Sequence, residues 1–229
     1  MNIGNSSDLV ALTFQNNRII TLSIDFMAYA LSINYSGKRL QIAVLDGFFG
    51  GSIAYRIKMR DRNLLLRFRI IHNSAHFVDG LWNSSTGEWV GDDKPIPFTQ
   101  DFGEITIANE HIFNFGIIKY YGSAAYATLV RPAELQKWFF NSGLEINSDK
   151  ILGTFLQKPI NLFFATHNIF AGKPEYKLST SNIFGVKFGE WYGKGLQIYF
   201  SYYYGNHKFS EYYFKRVNQF GIGFNVDFF

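Results

Sequence analysis

The chain contains no cysteine, which excludes a disulfide scaffold and thiolate metal sites and is compatible with an oxidising bacterial compartment. No run approaches the roughly 18 consecutive apolar residues of a spanning helix, so any membrane crossing must be made by strands. Blocks of like charge are missing too. The net charge is only +4, and no Lys/Arg run resembles a nucleic-acid footprint, so nucleic acid is not an expected partner. The opening MNIGNSSDLV has no basic segment followed by an apolar one, so no secretory signal is visible. For an exported protein this implies a processed or partial chain; otherwise the compartment is a different one.

Aromatic residues are abundant. They make up 19% of the chain, with 25 Phe and 14 Tyr, yet the mean hydropathy is only -0.05. Large apolar side chains are therefore interleaved with polar ones, as alternating strands require. With 229 residues and no internal composition shift, a single domain over 1–229 is expected.

Period-two alternation predicts an all-β antiparallel chain of about twelve strands (ten to twelve). The stretch Arg62 to Asp79, RNLLLRFRIIHNSAHFVD, is the clearest case. Leu64, Leu66, Phe68 and Ile70 share one face and run in phase into His72, Ser74 and His76. Asn63, Arg67, Arg69 and Asn73 occupy the other. Before it, Asp46 to Gly50 reads as a Gly-rich corner between two strands, LQIAVLD and GSIAYRIKMR. After it, 80–101 reads as a long external loop, GEITIANEHIFNFGIIKY as one strand, and Tyr121-Gly122 as a turn. Longer loops then fall at one end (46–50, 80–101, 131–137, 168–175, 206–215) and mostly short turns at the other, as in outer-membrane barrels, which keep both termini on one side.

If Asp61-Arg62 is a two-residue hairpin loop, Ile57 pairs with Leu66, Tyr55 with Phe68 and Ile53 with Ile70. The apolar faces then coincide, Arg56 lies opposite Arg67, and Gly51 lies opposite His72, leaving space beside it. The last strand puts Phe220, Ile222, Phe224, Val226 and Phe228 on one face and Gln219, Gly221, Gly223, Asn225 and Asp227 on the other. A soluble sandwich or lipocalin-like barrel would point the apolar faces inward. So many Phe and Tyr would overfill a small barrel, whereas Arg56, Lys58, Arg67 and Arg69 suit a water-filled, cationic lumen. A transmembrane β-barrel is therefore the expected architecture, either a structural barrel or a small pore with anion preference.

Chemistry concentrates at His72 and Ser74, two apart on one face, where a histidine can take a serine proton if a third group fixes its tautomer. Glu110 in ITIANE is the acidic candidate for that third group, although strand phase puts it inside; Asn109 is the amide alternative on the outer phase. His76 with Asp79 could instead bind a surface phosphate or a loose metal. A His-x-Ser-x-His at a strand end is also what an interfacial belt looks like. His167 and His207 stand isolated and read as structural or loop residues.

Several stretches together resemble an uncharacterised family of bacterial outer-membrane proteins, the domain of unknown function 1207. LLLRFRIIHNSAHFVDG is similar to that family's His-x-Ser-Ser-His-x-x-Asp strand end, with Ala75 at the second serine. ITIANE, YYGSAAYATLVRP, the GLEI strand end and YYYGNHKFSEYY leading to GIGFNVDF extend the resemblance from about Gly51 to the C-terminus. It implies an outer-membrane barrel of a Gram-negative bacterium and brings no activity. The His72/Ser74 spacing is also similar to the His-x-Ser of outer-membrane phospholipase A and lipid A deacylase. That likeness implies a lipid acyl hydrolase on the outer wall, acting on phospholipid or lipopolysaccharide, with calcium entering only under that reading.

Overall fold

Most long strands of this chain have one face that is apolar and solvent-facing and one that is turned inward and largely polar. In the computed structural model, residues 2–15, 17–35, 39–77, 82–83, 85–89 and 94–228 are described. The strands are β1 (Asn2–Phe14), β2 (Arg18–Tyr35), β3 (Arg39–Lys58), β4 (Arg62–Phe77), the short β5 (Trp82–Asn83) and β6 (Glu88–Trp89), β7 (Phe98–Phe113) and β8 (Gly116–Arg131). They continue with β9 (Trp138–Ser148), the short β10 (Thr154–Phe155), β11 (Lys158–Gly172), β12 (Tyr176–Gly189), β13 (Gly195–Asn206) and β14 (Arg216–Asp227). All but β5 and β6 form one twelve-stranded antiparallel sheet in the order β1-β2-β3-β4-β7-β8-β9-β11-β12-β13-β14, with β10 paired to β11.

The twelve strands are composed differently from the expectation. The glycines at 47, 50 and 51 form no corner: they lie within the single long strand β3. The turn expected at Tyr121-Gly122 lies instead at Asn114-Phe115, and both of those expected turn residues sit inside β8. Gly116 explains the shift: its φ is +153°, and a Cβ there would stand 2.0 Å from the Asn147 carbonyl oxygen, so only glycine allows the chain to fold back at this point. Eleven long strands make β1 and β14 run in the same direction, and residues 2 and 227 lie at opposite ends of the sheet, not at the same end as expected. Among the described residues no ladder joins β1 to β14. Closing the cylinder takes a parallel seam there or one further antiparallel strand.

The β3–β4 hairpin turns at Arg60-Asp61, with the Met59 amide donating to the Arg62 carbonyl at 2.9 Å. The loop sits one residue earlier than expected, which moves every pair by two positions: Ile57 meets Leu64, Tyr55 meets Leu66 and Ile53 meets Phe68. Parity survives, so the apolar faces still coincide. The expected neighbours do not. Ala54 lies opposite Arg67, which removes the Arg56–Arg67 confrontation, and Gly51 lies opposite Ile70, so it leaves no space beside His72; Phe49 stands there.

The sheet curls round its polar face. Tyr192, in the β12–β13 turn, donates a hydrogen bond to Glu110 of β7 although β8, β9 and β11 intervene in the sheet. At the other end, the segment 207–215 between β13 and β14 folds inward over a 3-10 turn, Ser210–Tyr212. There the Ser210 amide donates to Asp46 of β3 at 2.8 Å, and the Tyr213 hydroxyl donates to Glu134 at 2.5 Å. A cavity of about 1050 Å³ is left inside, lined by inward side chains from β1 through β13.

The buried apolar core is not in the middle of the sheet. It lies under segment 207–215, where Tyr213 packs with Ile71, Ala75, Phe98, Phe102, Ala125, Ala127, Val130 and Leu135, and Tyr212 packs with Ala43 and Val44. The outer wall is the reverse, with Phe220, Ile222 and Phe224 exposed at 85%, 76% and 75%. Ring pairs lie towards both rims, Tyr126 with Trp138 at 5.0 Å on one and Phe113 with Phe115 at 5.1 Å on the other.

Candidate functional sites in the lumen and on the outer wall

Inside, the strands present a ladder of opposite charges. Glu104 of β7 accepts from Arg69 of β4, from Ser123 of β8 at 2.5 Å and from Asn141 of β9 at 2.9 Å. Each donor comes from an inward position on a different strand, so the carboxylate ties four strands through side chains alone. One step on, Lys119 of β8 donates to both oxygens of Glu145 of β9, at 3.1 and 3.2 Å. Tyr121 lies flat over Gly143, where a Cβ would meet its ring at 2.3 Å, and its hydroxyl sits 2.7 Å from His167 Nδ1. His167 is thus a lumen residue with a partner. Glu110 is buried and inward, as strand phase requires, and accepts from Asn63 at 2.6 Å as well as from Tyr192.

This ladder corrects the expectation of a cationic lumen. Arg67 and Arg69 do face inward, but Arg69 is paired and Arg67 lies in the same belt as Glu104 and Asp25. Arg56 and Lys58 are exposed near the β3–β4 turn and line no part of the cavity. The cavity carries both signs, and strong anion preference does not follow.

Segment 207–215 folds over one end of this cavity and holds an unusual carboxylate. Glu211 is 0% exposed, and neither of its oxygens has a hydrogen-bond partner. Burial first, and then the charge of Asp46, push its carboxyl up to about 7. Next to it, the Tyr213 hydroxyl is pushed up to about 12 by burial and by its bond to Glu134. His207 lies in the same segment, with its Nδ1 accepting from the Phe209 amide at 3.2 Å.

On the outer wall, β4 brings His72 and Ser74 out in phase with Leu66, Phe68 and Ile70, as the alternation predicts. The third group differs from the expectation. In the β4–β7 register Glu110 lies opposite Asn63 and Asn109 opposite Leu64, at the far end of the strand from His72, so neither can orient that imidazole. Asp101 lies opposite His72, and its Oδ1 is 2.5 Å from Nδ1, with the two side chains 51% and 41% exposed. Sequence reasoning missed Asp101 because the 80–101 stretch reads as loop; the signal available was the alternating run that β7 starts at Phe98. Thr99 lies opposite Ser74 on the β7 side and Gly47 on the β3 side. Of His76 only the backbone is described, and Asp79 lies outside the described residues.

Among the described residues no group of three or more His, Cys, Asp and Glu side chains could hold a metal ion, and no helix is long and apolar enough to cross a membrane. The sequence model of one family, described as a protein of unknown function (DUF1207), matches residues 41–228. No curated protein and no solved structure matches the chain.

Proposed function

The chain belongs to the DUF1207 family, and from that premise we propose that it is an outer-membrane β-barrel of a Gram-negative bacterium, passive and stoppered at one end by segment 207–215. One observation carries this reading, the inversion of polarity across the wall. A soluble barrel puts its apolar face inside; here Phe220, Ile222, Phe224, Leu66, Phe68 and Ile70 point out, and Arg69, Glu104, Lys119 and Glu145 point in. In water such an outer surface would be an aggregation hazard, whereas in hydrocarbon it is the stable arrangement. Long strands of 11 to 20 residues match or exceed the roughly 9–11 that a tilted strand needs to cross a bilayer.

The mixed charges and the apolar stopper predict a nearly closed pore with little ion preference. Planar bilayers loaded with the refolded chain should show small, rare openings, and replacing residues 208–214 by a short glycine-serine turn should open it. A chain that does not enter bilayers at all would sink the barrel reading. Equal conductance with and without segment 208–214 would sink the stopper.

A second reading, a lipid acyl hydrolase, is favoured by the His72–Asp101 pair. Asp101 would hold the Nδ1 proton, His72 Nε2 would take the Ser74 proton as Oγ attacks an acyl ester, and the imidazolium would return that proton to the departing alcohol. Water then releases the fatty acid. Phospholipid and lipopolysaccharide deacylation in detergent, with and without calcium, tests it: Asp101→Asn should cost about 10⁴-fold in kcat. An inactive parent, or full activity in Ser74→Ala, rejects it.

A further inference from the structure

We propose that the stoppered end of the lumen is a divalent-cation site, built for calcium, in which Glu211 of segment 207–215 and Asp46 and Asn73 of the wall supply the oxygens. Glu211 is wholly buried, and neither carboxylate oxygen has a partner. A charge left in that state is strongly unfavourable unless a counter-charge reaches it. Ser210 gathers the other two groups. Its amide donates to Asp46 Oδ2 at 2.8 Å, and its hydroxyl accepts from Asn73 Nδ2 at 3.4 Å. Asn73 is itself buried, and its carbonyl oxygen Oδ1 has no hydrogen-bond partner.

Carboxylate, carboxylate and amide carbonyl are the hard oxygen donors that calcium takes, with backbone carbonyls and waters completing six to eight ligands. Magnesium, which gives up water reluctantly, suits this partly dry cluster less well. Asp46 also acts on the ammonium of Lys173, from the β11–β12 turn, which lies 5.7 Å from the centre of the Phe98 ring. Asp46 and Asn73 come from β3 and β4, and Glu211 from the β13–β14 connection, so a bound ion would clamp the stopper to the wall. The site is independent of where the protein resides.

The test uses the full chain, refolded in detergent and stripped by chelator, titrated with calcium by calorimetry and with terbium, whose emission the neighbouring Tyr212 can sensitise. One equivalent should bind and raise the unfolding midpoint. Glu211→Gln should weaken binding by at least about tenfold, while Asp61→Asn, in the exposed β3–β4 turn, should leave it unchanged. Circular dichroism checks that Glu211→Gln is folded; if it is not, Asn73→Ala takes its place, with weakening expected again. No binding by the parent overturns the proposal, as does unaltered binding in the folded variant. A midpoint that follows pH and ignores calcium also overturns it, and means that Glu211 and Asp46 share a proton instead.

Discussion

The end of the cavity under segment 207–215 and its middle are held together by opposite means. At the end, Tyr213, Leu135, Phe98, Phe102 and Val130 exclude water, and stability comes from apolar burial. In the middle, Glu104 and Glu145 bind Arg69, Lys119, Ser123 and Asn141 across strands, and stability comes from charge-assisted hydrogen bonds round a cavity. The difference teaches where a sheet that turns its apolar face outward can keep a core. It has no second layer to pack against, so the core sits at a rim, where a connection can fold in and cover it.

Truncation at the end should cost most. Tyr213→Ala removes a buried ring and the bond to Glu134, and should lower the unfolding free energy by about 3–5 kcal/mol in denaturant titrations. The same variant should raise bilayer conductance; a stable, closed Tyr213→Ala would break the contrast between the two regions. Next comes the middle of the lumen. Glu104→Ala leaves Arg69 without its counter-charge and should cost about 2–3 kcal/mol, with the stopper still in place. Replacing both partners, Arg69→Met with Glu104→Leu, should recover most of that loss in the same titration; no recovery would mean that shape rather than charge holds the ladder.

A backbone test sharpens the comparison from outside both regions. Gly116→Ala places a Cβ against the Asn147 carbonyl in a positive-φ conformation and should cost about 1–2 kcal/mol without altering conductance. The smallest effect belongs to the exposed pair Lys177–Glu175, where Lys177→Ala should leave the unfolding midpoint unchanged, because water already screens it.

Much of this molecule is legible one strand at a time. That Leu66, Phe68, Ile70, His72 and Ser74 share a face, as do Phe220, Ile222 and Phe224, follows from alternation alone; that these faces point outward follows from the number of Phe and Tyr, and both are found in the folded chain. Turns are less legible. Gly47, Gly50 and Gly51 look like a corner but lie in β3, where glycine relieves crowding: a Cβ on Gly50 would stand 2.0 Å from the Ile70 carbonyl oxygen. The real reversal at Asn114-Phe115 hides inside an unbroken alternating run, because its sign is a backbone angle at Gly116.

By itself the sequence determined the all-β class, the period of the strands and which side chains share a face, because all of these depend on neighbours two residues apart. Tertiary structure alone decided which carboxylate meets which base. Asp101 reaches His72, Glu104 reaches Arg69 and Glu211 comes beside Asp46 through registers set across long connections, between residues 29, 35 and 165 positions apart. A one-residue displacement of a turn preserves every face and yet exchanges every partner. Faces are therefore readable from local pattern, and sites built from several strands are not.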